Sequence, residues 1–215
     1  TGALGETGIL DLAVDPAKLD AATVCEAAGE NPFLERFYGD MKGYAFQTQM
    51  FYLLSRYRQQ QELAQPDLFA RTVVSDYHFG KDRIFALLTL SDAELALYEN
   101  LYGLLVPQVP GPDLVVYLQA DAATLWERLQ HSASPAHRRV QREYLDILVD
   151  AYNHYFFHYT ASPLLVVNVA GVDFARQPEE VDALLAQIAA STGGSRCYSP
   201  RTGGGNSHEQ ESLLS

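Results

Sequence analysis

Four short apolar runs punctuate the chain: ATVCE at 22–26, TVVSD at 72–76, DLVVYL at 113–118 and LLVVNV at 164–169. Each is rich in valine and bounded by Asp, Glu or Pro, the pattern of a strand buried on both faces. Between them, apolar positions recur at helical spacing over roughly 44–63, 91–106, 121–130, 138–159 and 177–190. Strands alternating with helices predict an α/β fold with a parallel sheet flanked by helices in three layers. Ser91 and Glu94 form an S-x-x-E capping box, and Pro178 with Glu179 and Glu180 marks a second helix start. In such sheets ligands sit beyond the carboxyl ends of the strands, where Glu26 and Asp76 lie. From Ser191 onward the chain turns to Gly, Ser and charged residues, which predicts a domain over 1–190 and a disordered tail over 191–215.

Composition narrows the function. The chain has 215 residues, 47% of them hydrophobic, enough to bury a sizeable core in one domain. A formal charge of −12 repels polyanions, so nucleic acid is not the expected partner. No apolar stretch reaches the ~18 residues of a membrane span, and residues 1–20 lack a signal peptide's basic start and apolar centre. The two cysteines, Cys25 and Cys197, make neither a disulfide framework nor a metal cluster, and a reducing, cytoplasmic setting is the default expectation. The first residue is Thr, which suggests a processed chain or a fragment.

Two features suggest chemistry. Gln49, Tyr52 and Arg56 stand at i, i+3 and i+7, on one helix face. Either a ligand satisfies the polar groups of Gln49 and Arg56, or both lie in solvent beside Arg58 and Gln59. The opening GALGETG has glycine spacing close to a phosphate loop, without its lysine.

The stretches ENPFLERFYGD, YAFQTQMFYLLSRYRQQ, VVSDYHFGKDRIFA, PDLVVYLQAD and AYNHYFFHY to PLLVVN follow one another at near-constant spacing. From about Thr23 to Ile188 the chain resembles the bacterial branch of the deoxynucleoside kinases. The resemblance implies a P-loop kinase-like fold and transfer of the ATP γ-phosphate, with Mg2+, to the 5′-hydroxyl of a deoxyribonucleoside. It makes Glu26 the general base, sets Tyr38 on the sugar, and gives the base to Gln49, Arg56 and Asp82. Asp76 stands in the acidic motif after a strand, Phe46 and Phe51 are packing or ring-stacking residues, and Arg128 falls on the first lid arginine. A homodimer through helices like 44–63 and 91–106 is expected by analogy.

The departures gather on the phosphate side. Only 25 residues precede Glu26, so the first strand and phosphate loop are expected to be truncated or degenerate, with Gly2, Gly5, Thr7 and Gly8 either as their remnant or as unrelated terminal sequence. Ser132 and Ser134 stand where two further lid arginines belong, and His137 replaces an acid; Arg138, Arg139 and Arg142 are nearby substitutes or an exposed helix start. An arginine on the transferring group is worth ~10³–10⁵ in rate. Two readings follow: a deoxynucleoside kinase, or a catalytically impaired relative that binds nucleosides or serves as a structural subunit. The helix bearing Gln49 and Arg56 argues against an adenylate- or thymidylate-type kinase.

Overall fold

The computed structural model describes residues 21–24, 30–63, 72–131, 140–174 and 177–200. Strand β1 (Ala21–Val24) is followed by α1 (Leu34–Gly39), α2 (Met41–Leu63), β2 (Thr72–Ser75), α3 (Lys81–Thr89) and α4 (Asp92–Leu105). Then come β3 (Val115–Gln119), α5 (Ala122–His131), α6 (Arg142–Phe157), β4 (Leu164–Asn168), α7 (Pro178–Ala190) and β5 (Ser195–Tyr198). All described pairings are parallel: β1 with β2, and β3–β4–β5 as a three-stranded sheet. The four expected strands and five expected helices are present, with ends shifted by a few residues.

Alternation along β4 shows why the runs read as buried strands. Leu165 and Val167 pack with Val181 and Leu184 of α7 on one face. Leu164 and Val166 pack with Phe156 and Tyr159, from α6 and just beyond it, on the other. Both faces are therefore covered, so β4 is apolar at successive positions rather than at every second one. The capping box before α4 forms as expected: the Ser91 backbone amide and hydroxyl both donate to Glu94 Oε2, at 3.0 and 2.6 Å. Pro178 occupies the first turn of α7 ahead of Glu179 and Glu180.

The expected boundary at residue 190 requires correction, because β5 lies inside the segment assigned to a disordered tail. Ser195 to Tyr198 pair with Leu164 to Val167 in register. Gly194, at φ 66°, adopts the left-handed conformation that aims the chain back along the sheet, and its carbonyl accepts from the Leu164 amide at 3.0 Å. Arg196 donates to Ala190 O at the end of α7, 2.8 Å away. The strand is polar and mostly exposed, as an edge strand can be, so its composition resembles a tail. Residues 201–215 lie outside the described residues.

The α2, α3 and α4 helices form the part of the molecule that matters for the site. Leu53, Phe79, Ala86 and Tyr98 pack together where the three meet. On its other side α3 presents Ile84 and Phe85 to Leu148 of α6.

Candidate active site

Helices α2 and α3 run against each other in opposite directions, and their contacts fall in register. Gln49 meets Thr89, Leu53 packs with Ala86, and Arg56 forms an ion pair with Asp82. Both helices thus carry polar residues at i and i+7 within an otherwise apolar interface. Gln49 and Arg56 are each 1% exposed and Asp82 is fully buried, so the alternative that places Gln49 and Arg56 in solvent fails. Arg58, by contrast, is exposed.

The Arg56 guanidinium is held from several directions. Its carbon lies 4.9 Å from the Tyr52 ring centroid and 5.9 Å from that of Tyr77, while Asp82 balances its charge. Tyr77 also accepts from Gln60 Nε2 at 3.1 Å. A charge this deeply buried persists only when paired and hydrogen-bonded. Three neutral oxygens of this helix group are buried with no hydrogen-bond partner among the described residues: Thr48 Oγ1, Gln49 Oε1 and the Tyr98 hydroxyl. Burial pushes the Tyr98 phenol well above the ordinary tyrosine range.

Asp76 directly follows β2, and its amide donates to Val24 O at 3.2 Å, which brings the carboxyl ends of β1 and β2 side by side. Two residues later, His78 Nε2 lies 3.1 Å from the Tyr155 hydroxyl. Burial, with Lys81 nearby, lowers the His78 pKa from 6.5 to about 4, so the ring is neutral at physiological pH. Asn31 ties the preceding loop to α2: its side-chain amide donates to Thr48 O at 3.3 Å and its Oδ1 accepts from the Phe33 amide at 3.0 Å.

The remaining expected residues are more dispersed. Tyr38 is half-buried against Leu129, Val140 and Leu145, where α1 meets α5 and α6. Phe46 is half-buried on α2, and Phe51 makes an edge-to-face contact with Tyr52 at 6.3 Å. Arg128 is not brought to the Gln49–Arg56–Asp82 group. It donates instead to Val169 O and Val172 O, at 2.7 and 3.2 Å, pinning the loop after β4. Arg142 is exposed at the start of α6. Glu26, Gly2, Gly5, Thr7, Gly8, Ser132, Ser134, His137, Arg138 and Arg139 lie outside the described residues.

A separate open hollow of about 430 Å³ lies beyond the carboxyl ends of β3 and β4, lined in part by Gln119, Asp121, Asp146, Asp150, Asn153 and Asn168. Its three carboxylates disfavour a triphosphate there.

The model of the deoxynucleoside kinase family matches residues 14–192. The chain belongs to the deoxynucleoside kinase family. It is 34% identical over 128 residues to a deoxyguanosine kinase of Bacillus subtilis, an alignment spanning 59% of this chain and 62% of that protein. A deoxyadenosine kinase of Dictyostelium discoideum is 30% identical over 191 residues, 86% of this chain and 76% of the relative. Among solved structures, a deoxyadenosine kinase from M. mycoides with products dCMP and a flexible dCDP bound superposes with a TM-score of 0.72 at 22% identity, covering 88% of this chain and 95% of that one. This likeness supports the P-loop kinase-like fold. In this deoxynucleoside kinase family member, Thr89 at the end of α3 and Tyr98 on α4 are further polar groups at this helix interface. Thr89 could have been found, because Asp82 and Thr89 stand at i and i+7 in an otherwise apolar stretch.

Proposed function

We propose that this protein is a deoxynucleoside kinase that transfers the γ-phosphate of ATP to the 5′-hydroxyl of a deoxyribonucleoside. The observation that carries the reading is the buried Gln49–Arg56–Asp82 group. Amide, guanidinium and carboxylate line one apolar helix interface, the Arg56–Asp82 pair two turns along from Gln49, whose carbonyl oxygen has no partner among the described residues. A nucleobase edge supplies complementary donors and acceptors for such a set.

Glu26, two residues beyond the last described residue of β1, accepts the proton of the 5′-hydroxyl as that oxygen bonds to the γ-phosphorus. The bond from the γ-phosphorus to the bridging oxygen breaks and ADP leaves. Phosphoryl transfer asks the protein mainly for positioning and charge compensation, so α2 and α3 contribute by holding the base while Tyr38 and Asp76 bound the sugar side. Mg2+ would supply charge neutralisation on the triphosphate. Among the described residues no group of His, Cys, Asp and Glu fits a metal ion, so no protein ligand to it is assigned.

A homodimer accompanies this reading. On α4, Leu97 and Leu104 are seven residues apart and 62% and 68% exposed, giving an apolar stripe turned away from buried Tyr98.

Incubation with γ-labelled ATP and each of the four common deoxynucleosides tests the activity. Labelled monophosphate from at least one nucleoside, lost in Glu26→Gln, is the expected result. No label above that control rejects the proposal.

A further inference from the structure

The Gln49 amide is anchored on one side and open on the other. Its Nε2 reaches Thr89 Oγ1 over a long 3.5 Å, and the Thr89 hydroxyl donates to Phe85 O at 2.7 Å. With its proton committed to Phe85, the Thr89 oxygen can only accept from Gln49. A flipped amide would set two acceptor oxygens against each other, so the hydrogen-bond network itself determines the orientation. Oε1 is thereby turned away from Thr89, buried and without a partner among the described residues.

We propose that Thr89 is a positioning residue that fixes the Gln49 amide, so that the site selects nucleobases offering an amino group to Oε1 over those offering a carbonyl. The inference rests on the reading above, in which Gln49 faces the base. An unpaired buried acceptor is costly, and a ligand donor relieves that cost. A ligand carbonyl at the same place would leave Oε1 unpaired and add repulsion between two oxygens. Gln49 keeps its second N–H free for a ring nitrogen, so the anchor does not compete with bidentate recognition. The geometry adds the i, i+7 match of Asp82 and Thr89 to that of Arg56 and Gln49: one end of the helix pair holds a charge pair, the other holds the direction of an amide.

The test compares 2′-deoxyadenosine, which offers an amino group beside an acceptor ring nitrogen, with 2′-deoxyinosine, which offers a carbonyl beside a ring N–H. Dissociation constants are measured by calorimetry on the full chain, and KM and kcat in parallel. Thr89→Val removes the hydroxyl at nearly constant volume, while Thr89→Ser retains it. Freed from its anchor, the amide turns to suit either ligand, so the preference for deoxyadenosine falls by about three- to tenfold in Thr89→Val, the worth of one neutral hydrogen bond. The change appears in Kd and KM rather than kcat, and Thr89→Ser keeps the wild-type ratio. If Thr89→Val does not fold, by circular dichroism, Thr89→Ala takes its place in the same comparison. Equal weakening of both ligands, or an unchanged ratio, overturns the positioning role while leaving the nucleoside site standing. Absence of binding by the wild-type chain to either ligand and to the common deoxynucleosides overturns the reading of the site itself.

Discussion

Asp82→Asn is the sharpest perturbation of the fold and site together. It keeps the shape of the side chain and removes the charge opposite Arg56, which is 1% exposed and has the Tyr52 ring 4.9 Å from its guanidinium carbon. Breaking a buried ion pair by removing one partner costs about 3–5 kcal/mol, because the remaining charge stays desolvated. A desolvated cation–π contact is worth about 2 kcal/mol, but Tyr52 already supplies it in the wild type, so it does not cushion the loss. Against a domain stability of ~5–15 kcal/mol, the single variant should lose about a fifth or more of its stability. Removing both charges, in Arg56→Met with Asp82→Leu, should cost far less than the two single changes combined, since well-packed apolar replacements of a buried pair are often neutral or stabilising. Urea unfolding followed by circular dichroism measures all four corners of the cycle. The double variant should be folded yet bind no deoxynucleoside, which separates the pair's function from its contribution to stability. A loss below about 1 kcal/mol in Asp82→Asn, or strict additivity in the cycle, would refute the argument from burial.

Other consequences are accessible to simple measurements. The His78 pKa is lower folded, about 4, than its ordinary 6.5, so between these values the unfolded chain binds more protons and stability falls as pH is lowered through that window. The gap amounts to about 3 kcal/mol, and urea midpoints should lose most of that dependence in His78→Gln. Placing Lys at both Leu97 and Leu104 should convert a dimer to a monomer in sedimentation velocity, without unfolding, because both side chains are largely exposed in the single chain. Gly194→Val should cost about 1–2 kcal/mol, since a β-branched residue resists the left-handed backbone at φ 66°; an unchanged urea midpoint would contradict the turn into β5.

How far the sequence could be read depended on how each element is stabilised. Strands such as β4 were legible because burial on both faces leaves a continuous apolar run. The short strand β5 was not, because backbone pairing with β4, a glycine turn and Arg196 hold it, none of which raises local hydrophobicity. Helix α3 carries no such signature: Lys81 and Asp82 at its start resemble a solvated loop, yet Asp82 is buried against Arg56. The face shared by Gln49, Tyr52 and Arg56 followed from helical spacing, but spacing alone left open whether it faced solvent, and only packing against α3 decided that. Arg128 matched a family position, yet its guanidinium is used by two loop carbonyls, a tertiary contact with no local signature.

The most direct measurement is a crystal structure of the full chain with a bound deoxynucleoside. The base edge should lie within hydrogen-bonding distance of Gln49 Oε1 and beside the Arg56–Asp82 pair. A base lodged instead in the acidic hollow lined by Gln119, Asp146 and Asp150, with Gln49 Oε1 still unpaired, would contradict the account.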